Sequence, residues 1–199
     1  MAKPRKFKRP SATRRYKKIF VLATEGTNTE PQYFDIVNNL NSNVLVKYTP
    51  KQKHQSPQHV LTAMNQYLKA EGIQKSDEAW LVVDKDKWTD TQLSQLYDWT
   101  KKANNYYFAL SNPKFEYWLL LHFEDYSSGL TSCSCSEKLA RHIPKLSKDI
   151  NWKITKEMIE QAIMRAKQQD NPPCERWPTT TRTTVYRLVG NILNSQIQP

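Results

Sequence analysis

The chain has 199 residues, of which 38% are hydrophobic and 11% aromatic, and a formal net charge of +11. That size suits one principal domain with a real core and excludes a wholly disordered chain. No apolar run approaches the roughly 20 residues a membrane-spanning helix needs, and the basic N-terminus lacks the apolar stretch of a secretory signal, so a cytoplasmic protein with no membrane partner is expected.

The charge is unevenly placed. Nine of the 30 basic side chains, and none of the 19 acidic ones, fall in residues 1–18, which leaves 21 against 19 in the remainder, a balance of about +2. Residues 1–17 therefore read as a basic flexible arm, with Lys3, Arg5, Lys6, Lys8, Arg9, Arg14 and Arg15 as phosphate contacts whose affinity would fall with salt. A merely solubilising tail is the alternative. Of the three cysteines, Cys133 and Cys135 are two positions apart, poorly spaced for a mutual disulfide and too few for structural zinc. All three are expected as reduced thiols.

From Lys18 the chain alternates between two periodicities. The run Lys18-Ile-Phe-Val-Leu-Ala-Thr24 is apolar, too short for a helix, and bounded by Glu25-Gly26, which predicts a buried strand. A helix follows from Pro31, with Tyr33, Phe34, Val37 and Leu40 at helical spacing. Val44–Tyr48 predicts a second strand. Ser56-Pro57 predicts an N-cap and first helical residue, opening a stretch with Val60, Leu61, Met64, Tyr67 and Leu68 that Gly72 closes.

Ala79–Val83 predicts a third buried strand, ending in Asp84-Lys85-Asp86. Thr89 with Gln92 three residues on is a capping-box pair, opening a helix with Leu93, Leu96 and Tyr97 on one face. Tyr106–Leu110 predicts a fourth strand, followed by a helix from Phe115 to about Phe123. Residues 127–149 have weak periodicity and predict a loop or insertion around Leu130 to Leu146. Thr155 predicts the N-cap of a helix carrying Met158, Ile159, Ala162, Ile163 and Ala166, and a last helix runs from about Thr183.

Strands alternating with helices predict a parallel sheet covered on both faces, an α/β domain over residues 18–125 with residues 126–199 as loop and C-terminal helices packed on it. Ligands of such sheets bind beyond the carboxyl ends of the strands. Glu25 ends the first strand, and Asp84 and Asp86 end the third, where alternate residues of an extended segment face one way. Three carboxylates at one edge suit Mg²⁺ or Mn²⁺, hard cations that bind through a few carboxylates together with substrate phosphate.

This pattern resembles the Toprim domain, and most closely the RloB-like proteins. The resemblance is carried by Thr24-Glu-Gly-Thr-Asn-Thr-Glu-Pro-Gln-Tyr-Phe34, Val83-Asp-Lys-Asp86 and Ser111-Asn-Pro-Lys-Phe-Glu-Tyr-Trp-Leu-Leu-Leu-His-Phe123. It implies a Toprim-like fold and metal-dependent phosphodiester chemistry at Glu25, Asp84 and Asp86. It also implies a role in prokaryotic defence against phage beside an AAA-type ATPase. No tyrosine is singled out as a nucleophile, which argues against strand passage and leaves hydrolysis as the simplest reaction.

Asp84 and Asp86 are assigned as direct ligands and Glu25 as ligand or general base. Glu30 and Glu116 are further catalytic candidates, each with the alternative of complementing a helix N-terminus. Lys85 and Lys87 flank the aspartates and are candidate phosphate contacts, the alternative being solvated lysines. Arg176, Arg182 and Arg187 are candidate nucleic-acid contacts near a helix start. His122, and Trp80, Trp99 and Trp118 within periodic segments, read as structural. Two other functions stay open: a primase-like nucleotidyl transferase on the same carboxylates, and a non-catalytic nucleic-acid-binding subunit of a defence complex.

Overall fold

The computed structural model describes residues 17–50, 56–86, 88–125, 129–146 and 154–196. The expected arm residues Lys3, Arg5, Lys6, Lys8, Arg9, Arg14 and Arg15, and also Lys87, lie outside them.

The described chain runs β1 (Lys18–Thr24), α1 (Thr29–Asn39), β2 (Val44–Tyr48), α2 (Pro57–Ala70), β3 (Glu78–Asp84), α3 (Asp90–Thr100), β4 (Tyr106–Asn112) and α4 (Phe115–Leu120). It continues through α5 (Ser132–His142), α6 (Lys156–Gln169), β5 (Arg182–Thr183) and α7 (Val185–Asn194). The sheet order is β2-β1-β3-β4-β5. The first four strands are mutually parallel, and β5 closes the far edge antiparallel to β4. This is the α/β fold that the alternation predicts, consistent with the Toprim-like sheet that the resemblance implies, with a C-terminal helical extension.

Local chemistry explains the elements. Ser56 accepts from His59 N–H with Pro57 behind it, Thr89 and Gln92 form the predicted capping box, and Thr155 accepts from Met158 N–H. Gly72, at φ 65°, ends α2 in the left-handed region that other residues rarely adopt. Helix α1 starts at Thr29, two residues before the predicted Pro31, because proline fits anywhere in a first turn whose N–H groups have no intrahelical acceptor.

The strand order decides which face each helix covers. Leaving β1 for β2 and then crossing back over β1 to β3 reverses the direction of travel. Right-handed crossovers therefore put α1 on one face and α2 and α3 on the other. The strands supply both cores by alternation. Phe20, Leu22, Trp80 and Val82 face α1, while Val21, Ala23, Leu81 and Val83 face α2 and α3. Helices α4, α5, α6 and α7 fill the rest of the α1 face, with Trp118, Leu139, Ile159 and Leu188 in that core.

Two expectations are corrected here. Residues within the predicted loop at 130–146 form helix α5, capped by Thr131 with Ser134 in a reciprocal box. Cys135, Leu139 and Ile143 are buried along one stripe, and polar residues elsewhere on the helix diluted that signal. The last helix begins at Val185 rather than Thr183, because Arg182 and Thr183 pair with Asn112 and Ser111 as β5. The Thr184 hydroxyl caps the Leu110 N–H at 2.9 Å, tying the two segments together.

Candidate active site

Strands β1 and β3 are neighbours, with Thr24 opposite Val82, and Glu25 N–H donates to Val82 O at 3.0 Å just past the pairing. Helices leave these two strands toward opposite faces, so a crevice opens at their carboxyl ends, the usual ligand position in open α/β sheets. The crevice is a cavity of about 270 Å³ lined by Glu25, Gly26, Thr29, Glu30, Asp84, Asp86, Trp88, Phe115 and Glu116. All five predicted carboxylates thus meet at one site. They come from the β1–α1 junction, the β3–α3 segment and the start of α4.

The backbone holds these pieces in register. Lys85 N–H donates to Ser111 O and Asp86 N–H to Pro113 O, both at 2.9 Å, which fastens the aspartate segment to the β4–α4 turn. Glu30, only 7% exposed, reaches back to accept the Gly26 N–H at 2.8 Å. A Cβ on Gly26 would stand 1.8 Å from the Glu30 Oε2, so glycine there leaves the space into which the carboxylate folds. Glu25 accepts Trp88 Nε1–H at 3.0 Å and 3.1 Å on its two oxygens and Asp84 N–H at 3.2 Å.

Crowded acids shift one another. Burial, followed by the Glu30, Glu25 and Glu116 charges, pushes the Asp84 carboxyl well above the usual range, against the pull of the Phe115 backbone N–H. Burial likewise raises Glu30 to about 7, with Glu116 and Glu25 adding to it, although its backbone hydrogen bonds act the other way. Among the described residues the cavity wall contains no cationic side chain. Lys114 lies 3.8 Å from Glu116 and donates to Ser136 Oγ at 2.7 Å.

This donor set fits a hard divalent cation in kind and number: carboxylate oxygens, excess negative charge, and partial shelter from water. As the side chains stand, no three acidic, histidine or cysteine groups among the described residues converge closely enough to grip an ion. The reason is local, since Glu25 is turned to Trp88 and Glu30 to Gly26.

The expected basic contacts divide. Lys85 donates to Trp88 O at 2.9 Å and to Asp90 Oδ1 at 2.8 Å. Arg187 pairs with the buried Asp170 at 2.7 Å and donates to Cys174 O at 3.1 Å. Arg176 is exposed, stacked over Trp177 and Tyr97 with centroid distances of 4.3 Å and 5.3 Å. Arg182 sits on β5 opposite Asn112, at the carboxyl end of β4 and hence on the cavity's side of the sheet.

His122 is buried, its Nδ1 facing the Trp118 and Leu119 carbonyls and its Nε2 3.1 Å from Tyr33 Oη. Nδ1 must therefore carry the proton, and Nε2 accepts from the phenol. Trp80, Trp99 and Trp118 are buried as well. The residue missed in the sequence is Trp88. Unlike those three, it lies outside every periodic segment and two positions beyond Asp86, which was a readable sign of a role other than core packing.

A family model described as RloB-like protein matches residues 20–192. No curated protein and no solved structure matches the chain. Among the described residues no helix is long and apolar enough to cross a membrane.

Proposed function

The chain belongs to the RloB-like family, and from that premise we propose that it is a nuclease that hydrolyses nucleic-acid phosphodiesters with Mg²⁺ or Mn²⁺ as cofactor. The observation that carries the reading is the meeting of Glu25, Glu30, Asp84, Asp86 and Glu116 around one cavity at the β1/β3 switch point. Crowding five carboxylates around one cavity, Glu30 buried among them, is costly unless a cation is bound, and a stability-driven fold has no use for such a cluster.

Asp84 at the end of β3 and Asp86 in the turn that follows would hold the cation together with Glu25. The chemistry a cation supplies there is neutralisation of the charge that builds on the scissile phosphate. Glu30, buried at the cavity wall, would accept a proton from an attacking water. Glu116 completes the wall on the α4 side. The basic arm, residues 1–17, would contribute phosphate contacts that are strong in low salt, and Arg182 and Arg176 would extend them over the body. A defence role beside an AAA-type ATPase is part of the same proposal and rests on family membership.

The test is cleavage of labelled DNA and RNA, single- and double-stranded, by purified protein with Mg²⁺, Mn²⁺ or EDTA, alongside the Asp84→Ala/Asp86→Ala variant. The expected result is cutting that EDTA and the double variant abolish. Cutting that persists in the double variant, or incorporation of labelled nucleotides in place of strand shortening, would overturn the reading.

A further inference from the structure

Trp88 lines the acid cavity yet donates inward, to a carboxylate. Its indole N–H is a donor only and lies 3.0 Å and 3.1 Å from the two oxygens of Glu25, so it sits between them. That is where a cation chelated by both oxygens of this carboxylate would sit. Indole proton and cation therefore compete for one face of Glu25.

The neighbourhood keeps the indole in that place. Trp88 N–H donates to Lys85 O at 2.9 Å, and Trp88 O accepts from Lys85 Nζ at 2.9 Å. Lys85 is in turn paired with Asp90 at 2.8 Å, and the ring packs against the core beneath α2 and α3. Glu25 has a second anchor independent of Trp88, the Asp84 N–H on Oε2 at 3.2 Å, which keeps the carboxylate aimed into the cavity when the indole leaves.

We propose that Trp88 tunes the cation affinity of this site: its indole N–H occupies the chelating face of Glu25 and is displaced when a divalent cation binds. The inference rests on the reading of the cavity as a cation site. Cation binding then costs one charge-assisted hydrogen bond, and metal affinity is set below what the carboxylates alone would provide.

The experiment is Mn²⁺ titration, followed by electron paramagnetic resonance of the free ion, on wild type, Trp88→Phe and Asp84→Asn. Phenylalanine keeps an aromatic ring and deletes the donor, so Trp88→Phe should bind Mn²⁺ about tenfold more tightly. Equal or weaker binding by folded Trp88→Phe overturns the proposal. Wild type supplies a second readout that does not depend on a variant folding. On addition of Mg²⁺ the Trp88 indole N–H resonance in a proton–nitrogen spectrum should move upfield as its bond to the carboxylate is lost, and a resonance that stays in place overturns the proposal.

Asp84→Asn separates the two levels. If wild type binds no Mn²⁺, or Asp84→Asn binds it equally well, the cation reading falls and this inference with it. If binding depends on Asp84 but ignores Trp88, only the role of Trp88 falls.

Discussion

Replacing Glu30 with glutamine should make the protein more stable, and more so as the pH rises. Glu30 is 7% exposed, and its carboxyl titrates at about 7 in the fold against 4.5 ordinarily. For an acid with a raised folded pKa, folded and unfolded states are equally protonated below pH 4.5. Between 4.5 and 7 only the unfolded state releases its proton, so stability falls as pH rises through that window and stays low above it. The ceiling on this cost is about 3.5 kcal/mol, from roughly 2.5 pK units at about 1.4 kcal/mol each.

Glutamine keeps the Oε1 acceptor for Gly26 N–H, now 2.8 Å away, and removes the charge that Glu116 and Glu25 oppose. Glu30→Gln should therefore gain about 1–3 kcal/mol at pH 8, or roughly 2–12 °C in Tm, and nearly nothing at pH 4. Urea denaturation of both proteins from pH 4 to pH 9 measures the difference directly. A variant less stable than wild type at pH 8, or one offset by the same amount at both ends of the range, would refute the claim that an ionised, crowded Glu30 strains the site. Activity should move oppositely, since the strain comes from the groups proposed to do chemistry.

Gly26→Ala should displace the Glu30 carboxylate, because the new Cβ would stand 1.8 Å from its Oε2; a loss of about 1–3 kcal/mol in stability is expected, together with an altered Glu30 titration read by carbon NMR of the carboxyl. Asp170→Ala should cost about 3 kcal/mol by denaturant melt, since it strips the partner from Arg187 at 2.7 Å and leaves Cys174 N–H and Tyr186 O–H without their acceptor. His122 responds to acid. Burial lowers it to about 4 from 6.5, so its contribution is complete above pH 6.5 and is lost as pH falls toward 4, by about 2 kcal/mol at pH 5. That loss runs opposite to the Glu30 effect over the same range, so comparing pH profiles of His122→Phe and wild type, rather than wild type alone, isolates it; parallel profiles would show that burial does not lower the His122 pKa in the fold.

The elements were legible because their signals are local. Ser56-Pro57, Thr89 with Gln92, and Thr155 each announced a helix start, and each side chain makes the predicted capping bond. The apolar runs at β1 and β3 read as buried on both faces, and they lie at the middle of the sheet. Helix α5 escaped notice because its stripe is three residues long and its box uses Ser134 where glutamate or glutamine is the readable sign. Strand β5 escaped because two residues have no period at all; only the neighbouring β4 makes Arg182 and Thr183 a strand.

The candidate site divides the same way. By itself the sequence determined which carboxylates follow which strands, and so that Glu25, Asp84 and Asp86 belong at one edge, with Glu30 and Glu116 on the helices that begin there. Tertiary structure alone decided that β1 lies beside β3, which brings the two strand ends within one cavity. It also decided which cations are spoken for, Lys85 by Asp90 and Arg187 by Asp170, and that Trp88 closes on Glu25 across 63 positions of chain. The physical reason is range. Periodicity and capping are settled by neighbours within a few residues, whereas a hydrogen bond between distant residues exists only after strand order and crossover handedness have set the distance between them.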